Sequence, residues 1–421
     1  MSIEGNCIVA QSGGPTAVIN ASACGVIQEA MKTGSITGTF AAHNGILGVL
    51  EEDIFDMGRE DPALIDALKR SPSSALGSCR YKLKSLEDNR ADYERVLDVF
   101  KAHDIHYFFY IGGNDSMDTA HKLSILAKEI DYPLIVMGVP KTIDNDLACT
   151  DHCPGYGSVA KYNATIAMEA GRDTEALYTH DTACVMEVMG RNAGWIAAAM
   201  GVAHRSPEDA PHLIYLPEIP FSMDRFATDC KKVYDEIGRV FVIAGEGIND
   251  GEGNYVAEQR GQFAKDSFGH TQLGGVAETL KEVIQSKVGI KSRYIKMGIG
   301  QRNGTHFASR TDRDEAYLVG QKAVQHAAEG TSGFMVTLQR KSSAPYVCET
   351  GLAPLEDVAN GEKMVPREFI NDEGNGITQA MIDYVSPLMQ GEVEIEVAPD
   401  GLPMYTRFIR HNLEQNCPKR A

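Results

Sequence analysis

Four short loops in this sequence hold residue types that can handle phosphate. Ser12-Gly13-Gly14-Pro15-Thr16 follows the apolar run Cys7-Ile8-Val9-Ala10. Glycines at such a turn let the backbone approach a phosphate, and a following helix offers free N–H groups and its positive dipole end. The spacing is neither that of a P-loop nor that of a dinucleotide fingerprint, and a plain tight turn would use the same residues. Gly112-Gly113-Asn114-Asp115-Ser116 repeats the arrangement. A carboxylate beside a phosphate turn is unfavourable unless a cation intervenes or the carboxylate excludes a competing phosphate. A helix N-cap would also use Asn, Asp and Ser.

The third loop, Pro140-Lys141-Thr142-Ile143-Asp144-Asn145-Asp146, places two carboxylates two residues apart beside a lysine. One acid suits a general base that takes the proton of an attacking hydroxyl, with the other as its electrostatic neighbour. Lys141 supplies a point charge for a transferring phosphoryl group. An Asx-rich turn is the competing explanation. In the fourth loop, Glu187-Val188-Met189-Gly190-Arg191-Asn192-Ala193-Gly194-Trp195, Arg191 stands where it can grip an oxyanion bidentately. Glu246, in Gly245-Glu246-Gly247, can accept a sugar hydroxyl, and Arg293 and Arg302 can fix a second phosphate. For each of these three, a solvated surface charge is an equal alternative.

The elements that must position these loops alternate along the chain. Apolar runs at 7–10, 105–111, 133–139, 182–188, 213–216, 240–244, 294–297 and 334–338 read as buried strands. Helical patterns lie between them, at 18–32, 116–130, 271–285 and 312–328. This order predicts an α/β protein with parallel sheets covered by helices, and ligands collect beyond the carboxyl ends of such strands. The four loops fall at those ends. After Ser342 the pattern loosens, and 391–404 reads as a hairpin.

The chain has 421 residues, enough for two domains, and its 41 glycines suit an enzyme with several tight loops. A net charge of -18 argues against a general nucleic-acid binder, which needs a basic face. Nine cysteines without a framework spacing point to reduced thiols in the cytoplasm. Cys149, His152 and Cys153 lie close in sequence, but no matching second pair supports a zinc site. Residues 1–6 lack the features of a secretory leader, and no apolar run is long enough to span a bilayer.

Together and in this order, the segments resemble the phosphofructokinase family from Cys7 to about Gly304, on its pyrophosphate-dependent branch. The resemblance implies two Rossmann-like parallel-sheet domains with a cleft between them and a C-terminal extension. It implies a donor-binding domain over 1–157, completed by part of 303–380, a fructose 6-phosphate domain over 158–302, and an extension over 381–421. The implied reaction is reversible transfer from pyrophosphate to the 1-hydroxyl of fructose 6-phosphate, with Mg²⁺, in a homodimer or larger homo-oligomer, without nucleic-acid or membrane partners. Asp144 matches the family's base, with Thr142, Ile143 and Asp146 around the sugar and phosphoryl group. Met189, Gly190 and Arg191 match the sugar-binding turn, Glu246 a sugar-hydroxyl acceptor, and Arg293, Gln301 and Arg302 the 6-phosphate end. Gly13 and Arg80 match the donor side. Asp115 and Lys141 stand where ATP-using members carry glycine, which favours pyrophosphate.

The sequence departs from the family pattern at three places. Asn114, a weaker Mg²⁺ ligand, occupies a position usually held by Asp. Ile299 replaces a histidine, and Thr182 replaces an arginine that reaches across subunits. Within the class, an ATP-dependent enzyme and one preferring sedoheptulose 7-phosphate are the alternatives. A non-catalytic sugar-phosphate-binding subunit is disfavoured by the presence of both Asp144 and Arg191. A dinucleotide oxidoreductase is disfavoured because no G-x-G-x-x-G follows the first strand.

Overall fold

The computed structural model describes residues 3–81, 83–84, 86–177, 180–257, 275–359 and 361–420. Five strands come first: β1 (Gly5–Gln11), β2 (Ile36–Ala42), β3 (Ile54–Asp56), β4 (Ile105–Gly112) and β5 (Ile135–Pro140). β6 (Ala183–Val188), β7 (Leu213–Tyr215), β8 (Val240–Gly245) and β9 (Ser292–Lys296) follow, then β10 (Phe334–Ser343) and β11 (Tyr346–Pro354). One sheet has the order β11-β10-β5-β4-β1-β2-β3 and the other β7-β8-β6-β9. Within the first, β2, β1, β4, β5 and β10 run parallel, while β3 and β11 are antiparallel edges. The second sheet is wholly parallel. Strands buried on both faces read as continuous apolar runs, which is why β1 and β4 stood out in the sequence; Cys7, Ile8, Val9 and Ala10 are fully buried.

Register aligns the functional loops. Gln11 of β1 pairs with Ile111 of β4, and Gly112 of β4 pairs with Pro140 of β5. The chain therefore leaves all three strands at one carboxyl edge. In the second sheet, Val188 of β6 pairs with Gly245 of β8, so Met189–Arg191 and Glu246 emerge together.

Several expectations shift. The second helix begins at Asn114, two residues before the expected start, and Gly113 occupies the cap position without a side-chain capping bond. Asn114 and Asp115 lie in the first helical turn, so the cap explanation for them falls away. The helix expected over 271–285 is found as Val276–Val283, continued by a wider turn over Ile284–Val288, and its first residues lie outside the described ones. β2, β3 and β11 were not expected. β2 is interrupted by Thr-Gly-Thr, and β11 alternates between solvent and protein, so neither carries an apolar run. Where the pattern loosens after Ser342, β10 and β11 form a long hairpin. The hairpin expected over 391–404 is a tight reversal closed by one bridge between Val397 and Pro403. The C-terminal segment packs back on the first sheet: Glu60 accepts from the Ile409 and Arg410 amides, and Glu52 from those of Asn416 and Cys417.

Two helices, Ile19–Ala30 and Arg310–Ala328, pack backbone to backbone against the first sheet. A Cβ on Gly25 would lie 2.2 Å from the Tyr317 carbonyl oxygen, and one on Gly320 2.2 Å from that of Ser22. Neither backbone can yield without separating the helices. Gly25→Ala is expected to cost about 1–3 kcal/mol of stability, read as a lower urea midpoint at unchanged slope; an unchanged midpoint would refute the close packing.

Candidate active site

The glycines after β1 make room for cations. Gly13 has a φ of 77°, and a Cβ there would lie 3.1 Å from the Lys141 Nζ. A Cβ on Gly14 would lie 3.1 Å from the Arg302 guanidinium. Lys141 is buried, and its Nζ donates to the Gly14 carbonyl at 2.9 Å. The third loop is fixed from inside by Asn145, which is fully buried at a φ of 56°. Its Oδ1 accepts from the Cys153 amide at 3.0 Å and its Nδ2 donates to the Tyr384 hydroxyl at 2.9 Å. Asn tolerates this left-handed conformation better than most residues. With Asn145 turned inward, Asp144 and Asp146 on either side face the cleft, and the Asp144 amide donates to Thr142 Oγ1 at 3.0 Å.

The acids and cations hold one another in intermediate states. Burial pushes the Asp144 carboxyl up to about 7, helped by Asp146 and Glu246, while Lys141 and Arg191 pull it down. Burial brings Lys141 down to about 8 against the pull of Asp144 and Asp146. Glu246 is raised to about 7 by burial and then by Glu187, with Arg191 opposing. Asp146 is raised by burial, and Arg302 is lowered by burial and then by Arg80. Shifted groups of opposite sign gathered in a cleft mark a candidate site for acid–base and charge-stabilising chemistry.

The cleft brings together most of the residues singled out in the sequence. Gly13, Arg80, Asp115, Lys141, Thr142, Ile143, Asp144, Asp146, Met189, Arg191, Glu246 and Arg302 line it. It opens into an adjoining cavity that reaches Asn114 and Tyr110. Among the described residues, three polar atoms here are buried without a hydrogen-bond partner: Asn114 Oδ1, Arg191 Nε and Arg302 Nε. Such atoms are costly unless a ligand satisfies them.

Three expected residues stand outside this lining. Gly190 shapes the turn at a φ of 124°, where a Cβ would lie 2.7 Å from the Ala193 carbonyl. Gln301 is buried behind it, accepting from the Met189 amide at 3.3 Å and from Asn163 at 3.0 Å. Arg293 turns away to pair with Asp173 at 2.6 Å. Ile299 is two-thirds exposed. The His152 ring sits 2.7 Å from Asp151 on one side and 2.7 Å from Glu315 on the other, while Cys149 is exposed and Cys153 buried. Sequence reasoning missed Glu362 and Asn192, which also line the cleft. Glu362 comes from the weakly patterned C-terminal part, where no motif marks it.

The family profile described as Phosphofructokinase matches residues 6–327. The chain belongs to the phosphofructokinase family. It is similar to a pyrophosphate–fructose 6-phosphate 1-phosphotransferase of Xanthomonas campestris pv. campestris (strain B100), 48% identical over 403 residues that cover 96% of each chain. A relative of the same name from Halomonas elongata is 45% identical over 416 residues, 98% of each. Among solved structures, a pyrophosphate-dependent phosphofructokinase from Nitrosospira multiformis superposes with a TM-score of 0.91 at 43% identity, over 99% of this chain and 100% of that one. The cleft just described lies at the carboxyl edges of both sheets.

Asn145 should be the internal anchor of this site. Asn145→Ala removes the bonds to the Cys153 amide and the Tyr384 hydroxyl and the residue type suited to the left-handed turn, and is expected to cost about 2–4 kcal/mol. Denaturant unfolding reads this, and a loss under about 0.5 kcal/mol would show that the loop is held by other means.

Proposed function

We propose that this chain transfers a phosphoryl group from pyrophosphate to the 1-hydroxyl of fructose 6-phosphate, reversibly, giving fructose 1,6-bisphosphate and phosphate. The observation that carries the reading is the buried Lys141 ammonium, which donates to the Gly14 carbonyl and feels the pull of the Asp144 and Asp146 carboxylates, with Asp115 in the same lining. A carboxylate at Asp115 repels the α-phosphate that a nucleotide donor would bring there. Lys141 meets the charge of the leaving phosphate, which a nucleotide would otherwise help to position.

In this reading Asp144 takes the proton of the 1-hydroxyl as it attacks, and Arg191 and Lys141 stabilise the charge spread over the transferring group. Thr142 and Ile143 support the base, Asp146 faces the phosphoryl group, and Glu246 accepts a sugar hydroxyl beside the Met189 turn. Arg302 holds the 6-phosphate end, while Gly13 and Arg80 face the donor. The half built on 1–157 and the β10–β11 hairpin then binds the donor, and 158–302 the sugar.

The site also fits Mg²⁺. Asn114 Oδ1 is buried without a partner, and Asp115 and Asp146 line the same space, a hard oxygen set that suits this ion. Bound there with the donor, it would neutralise phosphate charge. A homodimer or larger homo-oligomer is part of the proposal, as is a cytoplasmic location. All nine cysteines are free thiols, in keeping with a reducing compartment. Among the described residues no helix is long and apolar enough to cross a membrane.

Assaying fructose 6-phosphate with each donor tests the reading. Turnover with pyrophosphate is expected, with little or none from ATP, and Asp115→Gly should raise the ATP rate; faster wild-type turnover with ATP would overturn the donor assignment. Asp144→Ala should lower kcat by about 10²- to 10⁴-fold with the fold intact, whereas near-normal kcat would remove Asp144 as the base. The pH dependence follows from the charge states. Asp144 must be ionised, so kcat/KM falls as pH drops through about 7. Lys141 must be protonated, so it falls again as pH rises through about 8. A profile flat across both limbs contradicts these roles.

A further inference from the structure

The two catalytic loops leave different sheets, so something must set the distance between them. Residues 361–366 lie beyond the part of the chain matched by the family profile, yet they touch both loops. On the base side, Glu362 bridges to Leu147, and the Lys363 amide donates to the Asp146 carbonyl at 2.8 Å. The Lys363 Nζ donates to the Asp151 carbonyl at 2.7 Å, the Thr150 carbonyl at 3.2 Å and the Asn145 Oδ1 at 3.5 Å. On the arginine side, the Trp195 indole donates to the Lys363 carbonyl at 2.8 Å, and the Lys363 ammonium lies 5.1 Å from the indole ring centroid. Glu218 closes the connection: one of its oxygens accepts from both the Val365 and the Gly194 amides at 2.9 Å.

We propose that Lys363 is a positioning residue, the centre of a strap that holds the Asp144 loop and the Arg191 turn in register across the cleft. Its ammonium touches no reacting atom in this arrangement. It donates to the Thr150 and Asp151 carbonyls just after the base loop, and its main chain and ring contact fix the turn that carries Arg191. An interaction of this kind acts on the alignment of base and phosphoryl stabiliser, and so on kcat more than on KM.

The inference rests on the roles given above to Asp144 and Arg191, and its test separates the two. Hydrogen exchange of segments 140–151 and 189–195, melting temperature, kcat and both KM values are measured for the full chain and for Lys363→Met and Lys363→Arg. Lys363→Met is expected to speed exchange in both segments and to lower kcat about 10- to 100-fold, with each KM within about threefold. Lys363→Arg, which keeps charge and donors, is expected to recover much of kcat. Exchange unchanged in either segment, or a kcat within about twofold of the unaltered chain, would overturn the proposal. If the unaltered chain has no turnover with pyrophosphate, the proposed function fails while the exchange data still decide whether the strap couples the loops. Should Lys363→Met not fold, Lys363→Gln, which keeps a donor without the charge, carries the same comparison.

Discussion

A buried ammonium governs the site. Lys141 has left water, and its loss of hydration is offset by its bond to the Gly14 carbonyl and by the pull of the two carboxylates that follow it in the chain. Buried charges need such partners. The dependence runs both ways, because Asp146 and Glu246 stand near Asp144 in one cleft and disfavour its ionisation, against the pull of Lys141. The cation keeps the base usable at neutral pH, and the acids keep the cation charged. The glycine at 13 is part of the same balance, since a side chain there would press on the ammonium.

The architecture supplies these groups from distant parts of the sequence. Parallel strands in register send three loops from one edge and two from the other, so short segments far apart in the chain meet without long connections. Each loop is then fixed locally, by Asn145 in one case and by Gln301 behind Met189 in another. Alignment of the two sets is a separate problem, and the contacts of residues 361–366 answer it.

How much of this was legible depends on where the information lies. β1, β4 and β5 are buried on both faces, so their apolar runs announced them, and the loops at their ends carried dense combinations of Gly, Asp and Lys. β2 and β11 have a solvated face or polar interruptions, and their pairing is decided by neighbours remote in sequence. Glu362, Lys363 and Glu218 sit in segments without periodicity, and only the tertiary contacts give them meaning. Arg293 shows the opposite case: its type and place near a strand end suggested a phosphate ligand, but on β9 its side chain reaches Asp173 instead of the cleft of its own chain.

Whether Lys141 keeps Asp144 ionisable in a buried cleft can be measured without substrate. The carboxyl of Asp144 would be titrated by carbon-13 NMR in the unaltered chain and in Lys141→Met. A midpoint of about 7 is expected, rising by about 1 to 3 pH units once the ammonium is gone. A midpoint that stays in place, or falls, would contradict it.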